Sequence, residues 1–160
     1  MLGPRGNVSK KLDQGTPPRG CRHTKPYHWR VAVKQERRIL IVDDDCDSTH
    51  VIKILLEKVG GYLVFEENDP TNAHQSAQNF RPDLILLDVQ MPKADGGDVA
   101  AQIEADVGLQ RTPIIFLTAL VTKGEANAGL RIQGRPVLAK PINIPELINR
   151  IEENLPVHDA

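Results

Sequence analysis

Three carboxylates in a row, Asp43-Asp44-Asp45, stand directly after four branched apolar residues, Ile39-Leu40-Ile41-Val42. The apolar run reads as a strand buried on both faces, as in a parallel sheet, so the acids crowd together at one strand end. Like charges held side by side repel, and a bound cation is the plainest compensation. Further along, Asp88 closes a second apolar run, Thr118 a third, and Lys140 follows a fourth. Mg²⁺ typically takes one or two protein carboxylates, keeps several waters and also binds phosphate oxygens. Asp43 and Asp44 with Asp88 would make such a site. A carboxylate beside a divalent ion and a lysine can attack a phosphoryl group, because ion and ammonium neutralise the charge that builds on the equatorial oxygens. The product is an aspartyl phosphate. Thr118 has a hydroxyl to donate to the newly arrived group, and Lys140 a long point charge that reaches it.

These residues meet only if the chain folds in a particular way. Short apolar runs at Ile39–Val42, Tyr62–Phe65, Leu84–Leu87, Ile114–Leu117 and Val137–Ala139 read as five strands. Helical patterns lie between and after them, at about 48–59, 70–79, 97–107, 124–132 and 145–154. Pro70 after Asp69 and Pro145 after Asn143 suit helix starts, while Gly60-Gly61 and Gly108 suit helix stops. The fourth helix is the weakest, because Gly124 and Gly129 each cost about 1 kcal/mol relative to Ala in a helix interior. Five β-α units imply an α/β fold: a parallel sheet with helices on both faces and right-handed crossovers. Ligands in such sheets bind beyond the carboxyl ends of the strands, where Asp43, Asp44, Asp88, Thr118 and Lys140 all fall. Singly, these residues could be a strand end, a helix cap or a solvated loop charge; their convergence on one edge favours a site.

A chain of 160 residues with 40% apolar content suits one domain with an ordinary core. No window approaches the roughly eighteen apolar residues of a membrane span, and the N-terminus has charges and prolines where a secretory signal needs an apolar core. Cys21 and Cys46 have neither disulfide-framework numbers nor metal-site spacing, which fits a reducing compartment, and a cytoplasmic location is expected. The net charge of -1 conceals an asymmetry, since residues 1–35 carry eight Lys/Arg against the single Asp13. An acidic domain therefore follows a basic tail. That tail lacks apolar periodicity and is expected to be a disordered extension over 1–35, with the domain over 36–157 and a short tail over 158–160. A basic arm could be drawn to nucleic acid or anionic lipid, but a mere charge balance favours a passive extension.

Taken together, "ILIVDDD", "PDLILLDVQMPKADG", "PIIFLTA" and "VLAKPI" resemble the receiver domain of bacterial two-component response regulators over about residues 37–155. The resemblance implies a flavodoxin-like fold with strand order 2-1-3-4-5. It makes Asp88 the phosphoacceptor, Asp43 and Asp44 the acidic pair with Asp44 the more direct Mg²⁺ ligand, and the Gln90 backbone carbonyl a further ligand. Thr118 matches the switch hydroxyl and Lys140 the phosphoryl-contacting lysine. The implied partners are a histidine kinase or histidine phosphotransfer protein and a downstream protein target, with no membrane and no nucleic acid expected. Because the sequence ends shortly after the fifth helix, it resembles the stand-alone type. Such a receiver catalyses its own phosphorylation but is consumed stoichiometrically, so it is not a turnover enzyme.

Three positions depart from the family pattern or tune it. Val137 stands where the family usually has a movable Tyr or Phe, and Gln90 and Leu120 occupy the two variable positions that set the lifetime of the aspartyl phosphate. Two other readings compete. A pseudo-receiver keeps the fold without phosphorylation, but such modules tend to lose the acids, acceptor or lysine, all present here. A haloacid-dehalogenase-type phosphatase also starts from a strand ending in Asp-x-Asp, here Asp43-x-Asp45, yet leaves Asp88 without a role. A chain starting near Gln35 is expected to fold and accept a phosphoryl group as the full chain does, measured by circular dichroism and mass; loss of folding would move the domain boundary.

Overall fold

The computed structural model describes residues 35–157; the extension expected over 1–35 and the tail over 158–160 lie outside the described residues, apart from Gln35. The elements alternate: β1 (Arg38–Val42), α1 (Cys46–Leu55), β2 (Leu63–Glu67), α2 (Ala73–Phe80), β3 (Leu84–Asp88), α3 (Gly96–Ala105), β4 (Ile114–Thr118), α4 (Lys123–Asn127), β5 (Arg131–Ile132), β6 (Arg135–Ala139) and α5 (Ile144–Asn154). The sheet order is β2-β1-β3-β4-β6-β5, with the first five parallel and β5 antiparallel to β6.

The continuous apolar runs follow from burial on both sides. Successive strand residues point to opposite faces, so Ile39 and Ile41 join Ile52, Leu56, Leu147 and Ile151 in one core beneath α1 and α5. Leu40 and Val42 join Ala73, Ala77, Val99, Ala100 and Ile103 in the other, beneath α2 and α3. All five residues of β3 and of β4 are buried. With a helix layer on each face, β1, β3 and β4 leave no position for a polar residue except at the ends, where the acids and Thr118 stand, whereas edge strand β2 admits Glu66 and Glu67.

Capping decides the helix starts. Asp45 accepts from the Asp47 and Ser48 amides at the head of α1, Asp69 from the Thr71 amide in a 3₁₀ turn over Pro70–Asn72, and Asn143 from the Glu146 amide at α5. After Leu55 the first helix widens into a π-helical turn over Leu56–Gly60 and stops at left-handed Gly61.

The region after β4 departs from the expected helix over 124–132. A capping box between Thr122 and Glu125 starts α4, but Gly129 at φ 84° ends it within five residues. Gln133 (φ 50°) and Gly134 (φ 78°) then make a two-residue turn that pairs Ile132 with Arg135. A sixth, two-residue strand is thus added to the expected five. Arg135 fastens the hairpin: its Nε donates to Glu104 of α3 at 2.9 Å and its guanidinium lies 5.6 Å from the centre of the Phe116 ring.

At Gly96 the backbone of α3 passes so close to β3 that an added Cβ would stand 2.3 Å from the Asp88 carbonyl oxygen and 2.8 Å from Val89 Cα. Only a shift of α3 or β3 could admit it. Gly96→Ala is therefore expected to lose about 1–3 kcal/mol of stability, read as a lower urea midpoint at unchanged slope.

Candidate functional site

Register places the candidate residues. Val42 pairs with Leu87 and Asp88 with Leu117, so the ends of β1, β3 and β4 lie level and Asp43, Asp88 and Thr118 emerge at one edge. Thr118 pairs with Ala139, and the Lys140 amide donates to the Thr118 carbonyl at 2.8 Å, which brings Lys140 to the same edge. Carboxylate oxygens of Asp43, Asp44 and Asp88 all lie within 4.8 Å of one another. Asp43, Asp88 and Thr118 are buried, 2%, 6% and 1% exposed, while Asp44 is open to solvent.

Among the described residues, one cation sits among these acids. Lys140 Nζ is 2.7 Å from Asp43 Oδ2 and 3.5 Å from Asp88 Oδ1. Burial alone would lower the Lys140 pKa, but the hydrogen bond and charge of Asp43, and then the charge of Asp88, raise it above the ordinary lysine value. The ammonium is therefore held charged. Asp88 moves upward as well: burial pushes its carboxyl above the usual range and the Asp43 charge adds to this, outweighing the pull of Lys140 and a hydrogen bond from the Gln90 amide. Three acids against one lysine leave the edge short of positive charge, and a hard divalent ion with oxygen ligands fits that donor set.

Asp43 has little freedom left. Its Oδ1 accepts from the Asp45 amide at 3.0 Å and its Oδ2 from Lys140, whereas the Asp44 carboxylate has no protein hydrogen bond among the described residues. Asp45, the last of the three consecutive acids, is the N-cap of α1: its Oδ2 accepts from Ser48 Oγ at 2.6 Å, and it lies outside the acidic cluster. Such hydrogen bonds hold its carboxyl below the usual range. An Asp43-x-Asp45 pair is thus not what the fold assembles. The third acid of the cluster is Asp88.

Thr118 Oγ1 accepts from the Leu120 amide at 3.0 Å, which leaves its own proton to donate. Gln90 lies on the loop after Asp88, bridged antiparallel to Asp95. Leu120 is 59% exposed beside the site, and Val137 is buried against the core that contains Phe116. A groove of about 610 Å³ adjoins Lys140, lined mainly by apolar residues including Val51, Ile52, Ala119 and Ile142.

A doubly wound parallel sheet with an acidic cluster, hydroxyl and lysine at its carboxyl edge defines the class of aspartate phosphoacceptor modules. The model of the response regulator receiver domain matches residues 39–152, and the chain belongs to that family. Its relatives include the DNA-binding response regulator MtrA of Mycolicibacterium paratuberculosis, 33% identical over 123 residues, which are 77% of this chain and 53% of MtrA. The polar-differentiation response regulator DivK of Brucella anthropi is 29% identical over 74% of this chain and 96% of its own length. Among solved structures, the receiver domain of sensor histidine kinase PA1611 from Pseudomonas aeruginosa, with magnesium coordinated in its active-site cleft, matches at TM-score 0.62 and 32% identity over 74% of this chain and 97% of that one. The chain spans about half the length of MtrA, and less of some other relatives. Among the described residues no helix is long and apolar enough to cross a membrane.

The charge balance has a measurable consequence. A carboxyl with a raised folded pKa contributes stability below its unfolded pKa, about 3.9, and loses it as pH rises through the folded value. Ionised Asp88 thus destabilises the metal-free fold near neutrality. Without metal, Asp88→Asn is expected to melt a few degrees higher than wild type at about pH 7, with the gap closing towards about pH 4. Equal melting temperatures at neutral pH would contradict this.

Proposed function

We propose that this chain accepts a phosphoryl group from a phosphohistidine onto Asp88 and so switches its binding to a protein target. The carrying observation is the position of Asp88: buried at a strand end, within 4.8 Å of two further carboxylates and 3.5 Å from Lys140 Nζ. Asp44, Asp88 and the Gln90 carbonyl are the proposed Mg²⁺ ligands, with Asp43 completing the acidic pair from the buried side. When bound, the ion offsets charge on the phosphoryl oxygens.

Here an Asp88 carboxylate oxygen forms the bond to phosphorus as the phosphorus–nitrogen bond to histidine breaks, the imidazole keeping the electron pair. Lys140 contacts the transferred group, and Thr118 turns its proton to one of the phosphoryl oxygens. Such a charge-assisted hydrogen bond contributes on the order of 1.5–3 kcal/mol, enough to change a population ratio roughly tenfold or more. The donor is a histidine kinase or a histidine phosphotransfer protein. Asp88 is consumed stoichiometrically, so the chain acts as a phosphoacceptor without turnover of its own. The receiver is proposed to span 36–157 and to work in the cytoplasm.

The retained acids, acceptor and lysine favour this over a phosphate-independent interaction module. Incubation with acetyl phosphate and Mg²⁺ is expected to add the mass of one phosphoryl group. Asp88→Asn is expected to gain none, and EDTA to suppress labelling of the wild type. Full labelling of Asp88→Asn would transfer the acceptor role to another residue.

A further inference from the structure

We infer that Asn68 and Thr49 are positioning residues for the metal-binding turn, holding the Asp43–Asp44 peptide from its inner side. This rests on the proposed roles of Asp43, Asp44 and Asp88. Asn68, just after β2, donates from Nδ2 to the Asp43 carbonyl at 2.7 Å and to Thr49 Oγ1 at 3.0 Å. A carbonyl oxygen only accepts, so the amide must present its NH₂ there. Thr49 is fully buried on α1; its hydroxyl takes the Asn68 hydrogen bond and points its one proton between the Cys46 carbonyl at 3.0 Å and Glu66 Oε2 at 3.1 Å. Glu66 Oε1 in turn lies 3.3 Å from His50 Nδ1. A connected polar network thus runs from the surface of α1 and β2 to the back of the acidic turn.

The other polar groups of Asp43 are held as well. Its amide donates to the Glu67 carbonyl at 3.2 Å, its Oδ1 accepts from the Asp45 amide and its Oδ2 from Lys140. Asn68 secures the one that remains, the carbonyl. The peptide bond is planar, so the Asp43 carbonyl and the Asp44 amide move as one unit. Anchoring that carbonyl sets the plane from which the Asp44 side chain projects. Among the described residues no hydrogen bond aims the Asp44 carboxylate, so its direction depends on its backbone. If the anchor is lost, the ligand must be ordered when metal binds, and affinity falls. The effect should sit on metal binding and leave the phosphoryl-transfer step itself intact.

Isothermal titration calorimetry of the full chain with Mg²⁺ tests this on wild type, Asn68→Ala, Thr49→Val and Thr49→Ser. Removing one hydrogen bond at a positioning site corresponds to roughly a three- to tenfold weaker Mg²⁺ affinity, expected for Asn68→Ala and Thr49→Val. Thr49→Ser keeps the hydroxyl and is expected to bind close to wild type. The labelling rate with acetyl phosphate should fall in the two weakened variants at limiting Mg²⁺ and return to the wild-type value at saturation. Circular dichroism without metal shows which variants are folded, and if Asn68→Ala is not, the Thr49 pair decides. Mg²⁺ binding by the wild type with unchanged affinity in both weakened variants overturns the inference and leaves the acidic site standing. A labelling deficit that persists at saturating Mg²⁺ overturns it as well. Absence of Mg²⁺ binding by the wild type overturns the metal site itself, and the inference with it.

Discussion

Lys140 is the interaction on which the site depends. Two largely buried carboxylates, Asp43 and Asp88, would repel each other in a low-dielectric pocket, and the ammonium lies within 4 Å of both. It reaches them because its own amide is fixed to the Thr118 carbonyl, at the end of the neighbouring strand. One residue therefore joins β6 to β4 by its backbone and to β1 and β3 by its side chain. What Lys140 leaves uncompensated, a third acid open to solvent, is the negative charge that suits a divalent ion.

The rest of the fold holds these groups still. Because β1, β3 and β4 are apolar on both sides, a slip of one residue would exchange the side chains facing the two cores, so the register that levels the strand ends is strongly specified. Close passage of Gly96 against the Asp88 carbonyl seats α3 tightly against the end of β3. At the other side, the corner after β2 clasps Asp43 by amide and carbonyl. Asp88 and the acidic turn are thus supported by separate elements, which lets one be loosened without the other.

Val137 and the hairpin beside it give the far edge its own character. Val137 is a packed core residue that offers no ring to swing outward. Arg135, two residues earlier on the same face of β6, covers the Phe116 ring and pairs with Glu104, so a guanidinium fills that side of the sheet. With α4 reduced to five residues, the segment between Thr118 and β6 has few buried contacts, with Ala126 the buried residue of that helix. Such a segment belongs to the low-stability end of a fold.

The five parallel strands and the acids, hydroxyl and lysine beyond them were legible in the sequence, because burial on both faces writes itself as unbroken apolar runs and charge marks where most of them stop; edge strand β2 runs past the expected Phe65 to Glu67, with both glutamates inside the strand. Helix boundaries fell within a few residues where a cap was visible, as at Asp69 and Asn143. The fourth helix was not readable to its end: Gln133-Gly134 is a weak hairpin signal, since positive φ at a glutamine is a property the surrounding fold imposes. Asp45 looked like its two neighbours, and only the direction of the chain after β1 turned it to cap α1 and left Asp88 as the third acid. The Asn68 and Thr49 contacts were equally hidden, because they join residues brought together by a β-α-β crossover. Apolar periodicity is local and survives in the sequence, whereas a hydrogen bond between side chains far apart in sequence exists only once packing has set their distance and direction.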